Sequence, residues 1–146
     1  MNKITIGCDI GGVIRNSIDS TPINQAIDSI FELSKNYEII FISKCKDAYQ
    51  LNCRNWMKEN GLGGFKIIFC YEPSEKVKIA AENNISIMID DKIQVLSKFD
   101  DDTLKIWLCN DEKKINGTKS YQPDLFKALK LATNWPQLIE IIRENS

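Results

Sequence analysis

Short, uninterrupted apolar runs alternate along this chain with longer stretches whose apolar residues recur every three or four positions, which predicts strands alternating with helices. Ile4 to Cys8 is a β-branched run that stops at Asp9 and the turn signal Gly11-Gly12. After a loop through Ser20, Thr21-Pro22 reads as an N-cap with proline at the first helical position. Ile23, Ala26, Ile27, Ile30 and Phe31 then keep one apolar face of a helix ending near Lys35. Glu38 to Ile42 is the second strand and stops at Ser43-Lys44. The helix behind it carries Tyr49, Cys53, Trp56 and Met57 on one face before Gly61-Leu62-Gly63-Gly64 closes it. Phe65 to Cys70, Ile85 to Ile89 and Lys105 to Cys109 read as further strands. A helix from about Ser74 to Asn83, stopped by Asn84, separates the first two of these, and a short helix around Ile93, Leu96 and Phe99 separates the last two. Asn110 to Gln122 reads as polar loop, Leu125, Leu129 and Ala132 as one helix face, and Asn134-Trp135-Pro136 as the start of a last helix.

Strands that are continuous apolar runs, each followed by a helix, call for a parallel sheet covered on both faces. The expected architecture is a three-layer, Rossmann-like α/β fold with a central parallel sheet of about five strands, formed as one domain over residues 1–146. Ligands of such sheets bind at the carboxyl ends of the strands. Asp9, Ser43 and the pair Asp90-Asp91 each stand at the end of a different expected strand, and Lys76 begins the helix after another.

Composition narrows the chemistry. Lysines and arginines number 19 against 20 acids, scattered along the chain, so a nucleic-acid partner lacks its electrostatic footprint. No apolar stretch reaches membrane-spanning length and no signal-peptide pattern is seen near Met1, so no membrane partner is expected and a cytoplasmic location is. The five cysteines form no C-x-x-C pair and read as small buried hydrophobes. Trp56, Trp107 and Trp135 read as packing residues. The absence of histidine removes serine–histidine and cysteine–histidine nucleophile pairs and most zinc sites, so catalysis would rest on carboxylates, lysines and hydroxyls.

An aspartate at one strand end, a hydroxyl at the next, a lysine and then an acidic pair, in that chain order, resembles the four motifs of the haloacid dehalogenase superfamily over nearly the whole chain. The first motif is matched by Ile4-Thr5-Ile6-Gly7-Cys8-Asp9-Ile10-Gly11-Gly12-Val13 and the second by Ile39-Ile40-Phe41-Ile42-Ser43. Lys76 matches the third, with Lys78 as competitor, and Asp90-Asp91 the fourth. The resemblance implies a phosphohydrolase that acts on a phosphate ester through an aspartyl-phosphate. Two anions repel, so a hard cation such as Mg²⁺ belongs between carboxylate and phosphate. Asp9, the Gly11 carbonyl, Asp90 and Asp91 are the candidate metal ligands. Asp9, Ser43 and Lys76 are the candidate catalytic residues, and Ile10, Gly11, Ser43 and Lys44 the candidate phosphate contacts.

Gly11 departs from the family pattern, which usually has a second aspartate there as acid and base. The alternative expectation is therefore a catalytically weak or inactive relative that binds phosphate, Mg²⁺ or a partner without turnover. Ile6 to Gly12 also looks like the first phosphate loop of actin-like and sugar kinases, which need a second large domain. Taken singly, Asp9 fits a turn acid, Ser43 a helix cap, Asp90-Asp91 a cap at Lys92, and Lys76 a surface residue. The intervals from Asp9 to Ser43 and from Ser43 to Lys76 are each filled by a loop, a helix and a strand, leaving no cap domain. A capless site implies a large phosphorylated substrate, or a lid from a second copy of the chain or from the loop Arg15 to Ser20. Arg15 and Lys44 are candidate rim contacts for an anion.

Overall fold

The apolar runs do form a parallel sheet in the computed structural model, which describes residues 3–145. Its strands are β1 (Ile4–Cys8), β2 (Tyr37–Lys44), β3 (Lys66–Cys70), β4 (Ile85–Asp90), β5 (Leu104–Leu108) and β6 (Lys130–Ala132). The order across the sheet is β3-β2-β1-β4-β5-β6, and every pairing is parallel. The helices are α1 (Ala26–Ser34), α2 (Asp47–Glu59), α3 (Glu75–Glu82), α4 (Ile93–Leu96), α5 (Glu112–Tyr121), α6 (Pro123–Ala128) and α7 (Trp135–Glu144).

Alternation along each strand sorts its side chains into two cores. Ile6, Cys8, Ile39, Phe41, Ile87, Ile89 and Ile106 pack against α1, α2 and α7 through Ile30, Met57, Trp135 and Leu138. Ile40, Ile42, Met88 and Trp107 face the opposite way, against α3, α4 and α5 through Ala80, Leu96 and Ile115. The result is a helix–sheet–helix sandwich. In the middle of β1, a Cβ on Gly7 would approach Met88 Sδ to 2.9 Å, so this position admits no larger side chain without local movement.

Strand order reverses between β1 and β4, because successive strands first build outward from β1 through β2 and β3 before the chain returns to β1's other side. At such a reversal the following loops diverge to opposite layers and leave a crevice at the carboxyl ends. Asp9 follows β1 and Asp90 ends β4, so both stand at this crevice. Asp9 N–H donates to Ile89 O at 3.0 Å, which stitches the two strand ends together.

Three element readings are corrected. The sheet gains a sixth strand at its edge, since Lys130–Ala132 joins β5 instead of continuing the helix through Leu125 and Leu129. That helix ends at Ala128. The stretch Asn110 to Gln122, expected as loop, contains α5, whose N-cap Asp111 accepts bonds from the N–H groups of Lys113 and Lys114. The first helix starts at Ala26 and not after Thr21-Pro22. Thr21 is held by Asn16 and Asp19, and Pro22 pairs with Arg15 in an isolated bridge. Among the described residues no helix is long and apolar enough to cross a membrane.

Trp135 at the start of α7 donates its indole N–H to Val13 O at 2.9 Å, fixing the chain just after the β1 turn. Trp135→Phe leaves that buried carbonyl unpaired and should cost about 1–3 kcal/mol, read as a lower urea midpoint at unchanged slope. A change in slope instead would place the effect in the unfolded chain or in lost two-state behaviour.

Candidate active site

The site forms around one ammonium group. Lys76 Nζ lies 2.9 Å from Asp9 Oδ1 and 3.0 Å from Asp90 Oδ2, and the lysine side chain is only 3% exposed. A lysine in the first turn of a helix usually points to water. Here the turn before α3 is folded back, with Glu75 Oε1 accepting from the N–H groups of Tyr71 and Glu72, and Lys76 N–H donating to Pro73 O. The competitor Lys78 is exposed and lies 3.9 Å from Glu82 on the same helix, so Lys76 is the lysine brought to the strand ends.

Asp90 uses both oxygens, one on Lys76 and the other accepting from Lys92 N–H at 3.0 Å. Asp91 is different. Its Oδ1 is buried and has no hydrogen-bond partner among the described residues. Carboxylate oxygens of Asp9, Asp90 and Asp91 all lie within 4.8 Å of one another. Of the three clustered carboxylates Lys76 contacts two, and the buried orphan oxygen on the third is costly unless something binds it. An oxygen-rich, net-negative cluster of this kind fits a hard divalent cation.

Electrostatics record the crowding. Burial pushes the Asp9 carboxyl from 3.8 to about 6, against the opposing pull of Lys76. Burial, then the neighbouring Asp9, lifts Asp90 to about 6 as well. Asp91 is raised by burial and by Asp90. Burial works against the Lys76 charge, but the two carboxylates outweigh it and hold the ammonium above its ordinary value.

Ser43 ends up buried near the close of β2, its hydroxyl making no hydrogen bond among the described residues. With Ile10, Gly11 and Arg15 it lines a cleft of about 240 Å³. Among the described residues the N–H groups of Ile10 and Gly11 have no backbone acceptor, whereas those of Asp9, Gly12, Val13, Ile14 and Arg15 all do. Lys44, the next residue along the strand, is exposed and does not line this cleft.

Sequence reasoning missed several supporting residues. Gly12 has φ +80° and its absent Cβ leaves the room that the Asp91 carboxylate fills. Each tryptophan, read as packing, also ties down a loop at the strand ends. Trp107 donates to Asp91 O at 3.0 Å and Trp56 to Ser20 O at 2.6 Å, alongside the Trp135 bond to Val13. Sequence periodicity signals that such rings are buried, but not where their N–H groups point.

No protein-family model matches the chain, and no curated protein sequence does either. Among solved structures it is similar to a Burkholderia xenovorans protein named as a haloacid dehalogenase-like hydrolase. The TM-score is 0.74 at 10% identity, over 99% of this chain and 98% of that one. The chain has the haloacid dehalogenase-like fold. A haloacid dehalogenase-like family hydrolase from Xanthomonas campestris shares this fold with a TM-score of 0.58 at 14% identity, over 84% of this chain. The match spans 54% of that longer protein. Within the haloacid dehalogenase-like fold, Asp9, Ser43, Lys76 and Asp90-Asp91 occupy one carboxyl-end rim.

Because Asp9 and Asp90 titrate higher in the folded protein than their ordinary 3.8, the folded state holds protons that the unfolded chain has released. Stability is therefore full below about pH 4 in this respect and falls as pH rises through about 6. In chelator, the thermal midpoint should drop across that window and level off above it. Lys76→Met should steepen the drop and lower stability by about 3–5 kcal/mol above pH 6, because it leaves two buried carboxylates unpaired. A pH-independent cost would contradict the coupling.

Proposed function

We propose that this protein is a Mg²⁺-dependent phosphohydrolase of the haloacid dehalogenase type, with Asp9 as nucleophile toward a phosphate ester. The observation that carries the reading is the buried Lys76 ammonium joining Asp9 to Asp90 beside the orphan oxygen of Asp91. The fold shared with proteins named as hydrolases supports it. The side chains of Asp9, Asp90 and Asp91 and the Gly11 carbonyl would hold the cation. When bound, Mg²⁺ supplies charge neutralisation between carboxylate and phosphate.

Lys76 keeps the Asp9 carboxylate in place and favours its ionised form. A carboxylate oxygen of Asp9 bonds to phosphorus as the ester P–O bond breaks, and that electron pair leaves with the alcohol oxygen. The Ser43 hydroxyl and the N–H groups of Ile10 and Gly11 are the free donors for phosphoryl oxygens. Water then attacks phosphorus, the bond to Asp9 breaks, and phosphate departs.

Gly11 supplies neither a proton for the leaving oxygen nor a base for the water. The leaving group must take its proton from solvent, so esters with acidic leaving groups should react best. The same glycine favours the second reading, a protein that binds phosphate and Mg²⁺ and turns over little or not at all.

Hydrolysis of p-nitrophenyl phosphate with Mg²⁺ tests the proposal, and Asp9→Asn should abolish it. Mg²⁺ and phosphate binding without hydrolysis of any ester would leave only the second reading. A Cβ at Gly11 meets no atom within 4 Å, so Gly11→Asp fits sterically. It should raise turnover of alkyl phosphates by roughly 10²–10⁴-fold while changing p-nitrophenyl phosphate much less. Equal effects on both esters would argue against a missing acid.

A further inference from the structure

Arg15 sits in the loop that returns from the β1 turn, where Gly12 N–H donates to Arg15 O and Arg15 N–H to Ile10 O. Its guanidinium is fixed by neutral groups alone. Nη2 donates to Ser20 Oγ at 3.0 Å and Asn52 Oδ1 at 3.1 Å, and Cζ lies 5.3 Å from the centre of the Trp56 ring. Trp56 in turn holds Ser20 through its indole N–H. Both hydrogen bonds use the same nitrogen, which leaves Nη1 and Nε unengaged among the described residues. Among the described residues no carboxylate pairs with Arg15, so its charge is held in place without being neutralised.

Arg15 is the one charged residue among those lining the cleft that also holds Ser43 and Gly11. A fixed, uncompensated guanidinium fork in a cleft is a receptor for a planar or tetrahedral oxyanion. The reacting phosphoryl group has its own cation, because Lys76 reaches the rim from α3, in the helix layer on one face of the sheet. Arg15 is tethered to α2 through Asn52 and Trp56, in the layer on the other face. The two cations therefore approach the rim from opposite sides and are suited to two separate anionic groups.

We infer that Arg15 determines specificity at this site by receiving a second anionic group, a carboxylate or a second phosphate, on the leaving part of the substrate. The inference rests on the phosphate-binding reading of the same rim and narrows the substrate to a doubly anionic phosphate ester. Substrates with neutral leaving parts leave the guanidinium without its partner.

Binding of phosphonates to the Mg²⁺-loaded protein tests this without turnover. By calorimetry, 2-carboxyethylphosphonate should bind roughly 10- to 100-fold tighter than propylphosphonate, the gain expected of a charge-assisted pair. 1,3-Propanediphosphonate, run beside it, shows whether carboxylate or phosphate is the preferred second group. Arg15→Gln should bring these ratios to near one, and Arg15→Lys, which keeps charge but not the fork, should fall between. The wild-type ratio needs no variant, so a poorly folding Arg15→Gln does not remove the test. A wild-type ratio near one, or a ratio that survives Arg15→Gln, overturns the role of Arg15 while the phosphohydrolase reading stands. The predicted ratios together with no hydrolysis of any ester would keep Arg15 as anion receptor and sink turnover instead.

Discussion

A lysine ammonium buried between two strand-end carboxylates is the interaction on which the rest of the site depends. Removing three charges from water is expensive, and the arrangement is tolerable only when oxygen and nitrogen meet at hydrogen-bond distance. That requirement constrains the ends of β1 and β4 and the first turn of α3 together. The fold meets it by placing its strand-order reversal between β1 and β4, where the crevice opens. Loop placement is then secured by side chains from the surrounding layers. Trp107 fixes Asp91, Trp135 fixes Val13 and Trp56 fixes Ser20, so each indole N–H anchors a different segment at the rim. Packing and polar positioning are carried by the same three residues.

The interior of the fold was legible in the sequence because buried parallel strands must be apolar on both faces. Ile39 to Ile42 and Ile85 to Ile89 announce themselves without help from any other residue. Edges were not. Lys130–Ala132 is a three-residue strand whose Ala132 continues the helical spacing of Leu125 and Leu129, and only pairing with β5 decides the matter. The helix Glu112–Tyr121 buries little beyond Ile115 and Thr118, so it lacks an apolar stripe and reads as loop. Thr21-Pro22 has the residue types of a helix start but is consumed by the loop's own bonds to Asn16, Asp19 and Arg15.

The same distinction applies to the site. Asp9, Ser43, Lys76, Asp90 and Asp91 could be named because each closes a strand or opens a helix, and topology alone gathers such positions. Lys44 shares that property and still lies outside the cleft, since neighbouring strand residues point to opposite faces. Position marked Gly12 as a turn residue and Arg15 as a rim candidate, but the contacts through which they act left no sequence signal. Gly12 matters because Asp91 fills the space beside it, and Arg15 because Asn52 and Trp56 hold it. Gly11 is the one departure visible in both sequence and structure. It leaves open space where an acid would fit, so that a site acting on phosphate as proposed would be poorly equipped to move protons.

The central claim is that Asp9 is the nucleophile, and covalent trapping tests it most directly. The protein is mixed with Mg²⁺ and acetyl phosphate, quenched in acid and digested for mass spectrometry. The account predicts a single phosphoryl group on the Asp9 carboxylate, absent in chelator. Phosphorylation at another residue, or none while Mg²⁺ and phosphate bind normally, would contradict it.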